Sequence, residues 1–141
     1  MHFSDLNYLA ILVAGFVKFA LGGVWYSPAL FAKPWMAELK ITEEEIAKCK
    51  AQGGMGAKMA LTFLMGLVEV FVLAIALKAM GCGSAACGAG TGLMLGVGFT
   101  ALPIATNFMF ERRSLRLYLI SAGFPVVALV LAGALLAAWP K

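Results

Sequence analysis

The stretch Lys58–Ala79, KMALTFLMGLVEVFVLAIALKA, decides the fold, because it is long and apolar enough to cross a membrane yet carries the acid Glu69 in its middle. A helix that spans a bilayer needs about 20 mainly apolar residues. Other segments that meet this condition are Leu6–Tyr26, Ala85–Met109 and Leu117–Trp139. The sequence therefore predicts an all-α membrane protein. We expect four transmembrane helices in a compact bundle, which form a single membrane domain over residues 1–141.

Composition places the chain among membrane proteins. Of its 141 residues, 62% are hydrophobic and 13% are charged, whereas soluble domains are about 45–50% apolar and about 25% charged. The four segments leave no room for a separate soluble catalytic domain. We expect the first segment to be retained rather than cleaved as a signal, because no Lys or Arg precedes it and Lys18 interrupts its apolar core.

The basic residues predict an orientation. Most of them lie on one side of the predicted helices, in or next to the connection 27–57 and in the turn before the last helix: Lys33, Lys40, Lys48, Lys50, Lys58, Arg112, Arg113 and Arg116. The other side has only Lys78 and Lys141. Because Lys and Arg accumulate in cytoplasmic loops, we expect a bacterial inner-membrane protein with both termini outside. The basic side then suits anionic lipid headgroups rather than nucleic acid.

Two ionisable side chains interrupt the apolar segments, Lys18 in the first and Glu69 in the second. A charge at the bilayer centre costs at least about 2.5–3.5 kcal/mol on insertion scales. At about 1.5 Å per residue, the two lie about 12 Å and about 16 Å from the same membrane face, an offset that a lysine stem covers. The sequence predicts either a structural ion pair or, together with Thr62 and Asn107, a polar intramembrane site for transport or binding.

Aromatic residues are concentrated where the first helix ends. Trp25 and Tyr26 precede the helix-breaking Ser27-Pro28, and Phe31 and Trp35 follow it. Such rings favour the headgroup zone, so an interfacial belt followed by a turn is one interpretation, and an aromatic ligand pocket is the other. The stretch Phe31–Leu39 is predicted to lie along the membrane surface.

A short amphipathic helix is predicted within the cytoplasmic connection 27–57. Thr42 and Glu45 have the spacing of a capping box. Glu44 and Lys48 stand four residues apart, in the order that favours a surface ion pair. Three consecutive acids, Glu43 to Glu45, point in different directions around a helix, so we do not interpret them as a metal site.

The third segment carries a glycine ladder, Gly88, Gly92 and Gly96, in which a small residue recurs at every fourth position. This spacing is typical of close helix packing, either within the bundle or against another subunit. Pro103 is expected to kink the same helix and to free the carbonyl group of residue 99.

Cysteine and histidine are scarce. Cys82 and Cys87 lie in the predicted outer turn, where they are either free thiols or a disulfide. His2 is the sole histidine in the sequence, so we expect no metal site, no haem and no other cofactor. With no visible nucleophile–base pair, we also expect that the protein is not an enzyme.

The aromatic stretch carries a family resemblance. Gly22-Gly23-Val24-Trp25-Tyr26-Ser27-Pro28 with Phe31-Ala32-Lys33-Pro34-Trp35 resembles the small bacterial membrane proteins catalogued as domain of unknown function 1761. The similarity extends through Asn107, Phe110-Glu111-Arg112-Arg113 and Trp139, with Ala32 in place of the family's usual glycine. The resemblance implies a membrane topology and no particular activity.

Two functional interpretations remain open. The first is a small transport or ligand-binding protein with a polar intramembrane site, which forms a homo-oligomer through the glycine ladder. The alternative is a structural or accessory subunit that packs against another membrane protein or lipid, with Lys18 and Glu69 as a structural ion pair. The two halves of the chain show no self-similarity of the kind that inverted-repeat transporters have, which weighs against transport.

Overall fold

The computed structural model describes residues 3–140, so His2 and Lys141, which entered the histidine and charge counts, lie outside the described residues. Within that range the α-helices are α1 (Tyr8–Trp25), α2 (Ala32–Leu39), α3 (Glu43–Ala51), α4 (Met55–Ala79), α5 (Ala85–Leu95), α6 (Leu102–Phe110) and α7 (Leu115–Ala138). A π-helical segment, Gly96–Ala101, joins α5 to α6, and a short 3-10 turn, Phe3–Asp5, precedes α1.

Four helices are long and apolar enough to cross a membrane: Tyr8–Trp25, Met55–Ala79, Ala85–Phe110 and Leu115–Ala138. This confirms the all-α class with four membrane-length helices. Several of these helices begin at a capping residue. Its side chain accepts a hydrogen bond from a backbone N–H group that the first helical turn leaves unpaired. Asn7 accepts from the amide of Ala10, and Ser114 accepts from the amide of Leu117.

The connection between the first two long helices contains α2 and α3 rather than a single short helix. α3 begins with the predicted capping box, in which Thr42 and Glu45 each accept from the other's backbone amide. The predicted Glu44–Lys48 pair is also confirmed, at 3.2 Å. α2 contacts α7, and its Glu38 accepts a 2.5 Å hydrogen bond from the hydroxyl of Ser114. These contacts tie the connection to the start of α7.

α7 lies at the centre of the molecule, in contact with α1, α2, α4, α5, α6 and the π-helical segment. A hydrophobic core forms where α1, α4 and α7 meet, and its buried members are Ile11, Ala14, Val70, Leu73, Ala74, Leu77, Leu129 and Ala132. Three alanines in this core permit the helices to approach closely.

The glycine ladder faces α7 within the same chain. A Cβ atom on Gly88 would collide with the carbonyl oxygen of Gly133, and one on Gly92 would collide with that of Leu129. A Cβ atom on Gly96 would lie 3.1 Å from the Cα atom of Val126. The ladder is therefore covered by α7, so of the two packing alternatives the structure has the one within the bundle, and a homo-oligomer or partner contact through this face is not available.

The π-helical segment Gly96–Ala101 lies immediately before Pro103. Proline has no backbone N–H, so it cannot complete the regular hydrogen-bond pattern of the preceding turn. The wider turn accommodates this loss. The carbonyl oxygen of Ala101 accepts a 3.1 Å hydrogen bond from the hydroxyl of Tyr118 on α7, so the irregular backbone is also held by the central helix.

Alanine substitution along α5 tests how the glycine ladder packs. Gly92→Ala should lower the free energy of unfolding by about 1–3 kcal/mol, because the added methyl group meets backbone that cannot move aside. The matched control is Gly90→Ala, since nothing lies within 4 Å of a Cβ atom there. Thermal unfolding of the purified protein in detergent micelles measures the difference. Equal effects of the two substitutions would contradict the α5–α7 packing.

Candidate functional site

Lys18 and Glu69 form an ion pair between α1 and α4. The Lys18 side chain is buried, with 10% of its surface exposed, whereas the Glu69 side chain is 38% exposed. The lysine stem lies over Gly66, where a Cβ atom would be 3.7 Å from the lysine Cδ. The lysine stem thus packs alongside position 66 at ordinary contact distance, and the two opposite charges neutralise each other inside apolar helices.

The structure does not bring Thr62 and Asn107 to this pair. Thr62 is exposed about two helical turns from Glu69, and its hydroxyl donates to the carbonyl oxygen of Lys58 at 2.8 Å. Asn107 is exposed on α6, which packs against α7 and the π-helical segment. The polar intramembrane site expected from four side chains is therefore reduced to the Lys18–Glu69 pair.

The predicted aromatic residues pack against α7 as a cluster. The ring centroids of Trp25 and Phe31 are 4.7 Å apart, and those of Tyr26 and Trp35 are 5.7 Å apart. Phe124 of α7 contacts both Trp25, at 6.4 Å, and Tyr26, at 5.9 Å. These five residues form the aromatic cluster, which fills the space between α1, α2 and α7.

One hydrogen bond fixes the aromatic cluster to the central helix. The indole N–H of Trp25 donates to the carbonyl oxygen of Ile120 at 3.0 Å. Gly123 makes room for the indole, since a Cβ atom there would lie 3.0 Å from the ring. Sequence reasoning missed Phe124 as a member of the cluster, although an aromatic residue beside Pro125 in the last helix was a usable signal.

A cleft that sequence reasoning did not anticipate lies at the other end of α1. Its volume is about 930 Å³, and we call it the end cleft. Its polar lining includes Ser4, Asn7 and an ion pair of 3.2 Å between Asp5 and Lys78. The available signal was that Asp5 precedes the first span and Lys78 ends the second, which places opposite charges on one side of the predicted membrane.

The apolar lining of the end cleft is continuous with the core. Ile11, Ala74 and Leu77 belong to both, and Tyr8 and Trp139 add aromatic rings to the wall. Neither this cleft nor the second described cavity is lined by Lys18 or Glu69. The end cleft is thus separate from the Lys18–Glu69 pair.

A disulfide joins Cys82, in the turn after α4, to Cys87, in the first turn of α5, with their Cα atoms 5.6 Å apart. Cys82 lines the end cleft, and its sulfur lies 3.6 Å from the hydroxyl oxygen of Thr91. Gly81 and Gly83 flank Cys82 and line the same cleft. The disulfide therefore constrains one wall of the cleft.

The polar atoms inside the described part of the chain are already partnered. Over residues 3–140, every buried side-chain nitrogen or oxygen has a hydrogen-bond partner. In the same range, no group of three or more His, Cys, Asp or Glu side chains is placed to hold a metal ion. The interior thus offers no unpaired polar atom that would indicate a ligand, and the end cleft is the better candidate for a binding site.

Comparison with known proteins gives one match. A family model described as "Protein of unknown function (DUF1761)" matches residues 9–137. This range includes Lys18, Glu69, the aromatic cluster and the glycine ladder. No curated protein and no solved structure matches the chain.

A double-mutant cycle tests the Lys18–Glu69 pair. Lys18→Met and Glu69→Gln should each lower the free energy of unfolding by about 1–3 kcal/mol, because each leaves the other charge unpaired among apolar helices. The double variant should lose less than the sum, with a coupling energy of about 1–2 kcal/mol.

The matched control for this cycle is the exposed pair of Glu44 and Lys48, whose coupling should not exceed about 0.5 kcal/mol. Thermal unfolding in detergent micelles measures the free energies of unfolding for the variants of both pairs. Strictly additive effects at Lys18 and Glu69 would show that the two charges do not interact.

Proposed function

The chain belongs to the DUF1761 family, whose description gives no activity, and we propose from the geometry that it is a non-enzymatic integral membrane protein that binds a ligand in its end cleft. The match over residues 9–137 confirms the resemblance drawn from the Trp-Tyr-Ser-Pro stretch. The proposal rests on one observation, the cleft of about 930 Å³, which is within the size range of about 300–1,000 Å³ of small-molecule sites.

The construction of the cleft supports a binding role. Its lining combines apolar side chains, among them Leu77 and Leu136, with polar groups at Asp5, Asn7 and Lys78. Ligand sites in proteins are mostly apolar and orient their ligand through a few polar groups. The end cleft has both kinds of lining, with a larger share of polar groups than most such sites.

The Lys18–Glu69 pair has a structural role in this proposal. It joins α1 to α4, and both helices contribute to the cleft through Ile11, Ala74 and Leu77. Transport along the pair is disfavoured, because Thr62 and Asn107 lie elsewhere and neither described cavity is lined by the charged residues.

We further propose that the end cleft faces away from the cytoplasm of a bacterial cell. The basic residues of the connection and of the Arg112-Arg113 turn lie at the opposite end of the long helices, and basic loops are typically cytoplasmic. The Cys82–Cys87 disulfide beside the cleft supports the same orientation, because disulfides persist in oxidising compartments.

The second candidate function is that of a subunit in a homo-oligomer or a larger membrane complex. The observation that favours it concerns the third span, of which 11% is buried within the chain, the smallest share among the four. Gly90 and Gly98 have open space beside them on this span. Small residues on an open helix face allow another helix to approach.

A substitution that fills the cleft tests the binding role. Gly83 lines the end cleft and has open space around it, so Gly83→Trp should place an indole in the ligand's volume while the helices remain intact. We expect native mass spectrometry of the wild-type protein to reveal a small-molecule adduct that has been retained from the membrane. Occupancy should fall at least about tenfold in Gly83→Trp, which corresponds to about 1.4 kcal/mol.

The matched control is Gly90→Trp, which adds the same side chain at an open position outside the cleft. This variant should retain the adduct. A wild-type protein without an adduct, or equal occupancy in both variants, would contradict a ligand site in the cleft.

A further inference from the structure

An apolar groove adjoins the end cleft on the outer surface of α1 and α4. It has a volume of about 300 Å³ and is lined by Tyr8, Ile11, Leu12, Leu67, Val68 and Phe71. Tyr8 and Ile11 also line the end cleft, so the two cavities share a wall. The molecule thus presents a wide cleft with polar groups beside a narrow apolar groove.

The end cleft carries one negative and one positive side chain. Asp5 and Lys78 are 3.2 Å apart, and their side chains are 63% and 34% exposed. A ligand with a single charge would separate the pair and leave one member without a partner. A ligand with a cationic and an anionic group can engage both, each through a charge-assisted hydrogen bond.

The groove selects for a ligand that also has an apolar chain. The hydroxyl of Tyr8 donates to the carbonyl oxygen of Phe3 at 3.0 Å, so the one polar side-chain atom of the groove lining is already partnered. Leu12 and Val68 are 42% and 63% exposed, on helices long and apolar enough to cross a membrane. An apolar chain of a ligand that leaves the cleft along this groove would stay in contact with apolar side chains over the whole groove.

We propose that the end cleft and the groove together bind a zwitterionic phospholipid, an inference that rests on the ligand-binding function proposed above. The ammonium group of its headgroup pairs with Asp5, and its phosphate pairs with Lys78. An acyl chain lies in the groove, between Leu12 and Val68. The observation behind the proposal is that an acid–base pair lies beside an apolar groove, since Tyr8 and Ile11 line both the end cleft and the groove.

A lipid titration of the full chain in detergent micelles, followed by native mass spectrometry, tests this proposal. The probes are a phosphatidylethanolamine, a phosphatidylglycerol with the same chains, and glycerophosphoethanolamine, which has the headgroup without chains. We expect the first lipid to bind at least about tenfold more tightly than the second, since the anionic lipid offers no ammonium group to Asp5. The chainless headgroup should bind at least about tenfold more weakly than the intact lipid.

Two variants test the role of the end cleft and the role of the groove separately. The double variant Asp5→Asn/Lys78→Gln should abolish the headgroup preference, and Val68→Trp should weaken binding of both lipids by obstructing the groove. Their controls are Glu44→Gln/Lys48→Gln, an ion pair outside the cleft, and Leu61→Trp, an exposed position of α4 outside the groove. Neither control should change binding.

Failure of the lipid proposal can be distinguished from failure of the proposed ligand-binding function. Tight binding of the chainless headgroup that is insensitive to Val68→Trp would overturn the lipid assignment and leave a soluble ligand in the cleft. Equal binding of both lipids, unchanged in every variant, would overturn the lipid site itself. Retention of the adduct by Gly83→Trp would instead refute the ligand-binding function on which the lipid proposal rests.

Discussion

The pairing of Lys18 with Glu69 is the constraint on which the arrangement of α1 and α4 depends. In a bilayer, apolar helices gain little from burying their side chains against one another, because lipid tails are equally apolar. Association must come from close packing and from polar contacts between helices. Between α1 and α4 the polar contact is this ion pair, and the close packing is at Gly15, where a Cβ atom would collide with the side chain of Leu67. Loss of either charge would leave the other unpaired among apolar side chains.

The remaining helices are joined to α7 by different means. Backbone contact through the glycine ladder holds α5, while the indole hydrogen bond of Trp25 and the ring of Phe124 hold the far end of α1. The contacts of Trp25 pack the helices tightly at the end of the molecule where the aromatic cluster lies. At the opposite end the helix termini surround the end cleft, whose lining includes Asp5, Lys78 and Cys82. A binding site at this end is thus compatible with rigid packing elsewhere.

Features encoded within short stretches of sequence were predictable, and contacts between distant stretches were not. The long helices follow from runs of apolar residues, and the start of α3 follows from the spacing of Thr42 and Glu45. The glycine ladder indicated close packing, but its spacing is the same whether the partner is α7 or another chain, so the partner could not be identified. Asn107 and Thr62 could not be placed relative to Lys18. The position of a residue along a helix gives its depth but does not reveal which neighbouring helix its side chain faces. The end cleft was missed because its walls come from three segments far apart in the sequence, at the start, in the middle and at the end.

The central claim, that Lys18 and Glu69 pair within the membrane, is most directly tested by solid-state NMR of the protein in lipid bilayers. With ¹⁵N-labelled lysine and ¹³C-labelled glutamate, we expect a through-space correlation between Lys18 Nζ and Glu69 Cδ, identified by its loss in Lys18→Met. A Lys18 Nζ that correlates with lipid phosphorus and not with Glu69 would show that the lysine extends to the headgroups instead. That result would contradict the account.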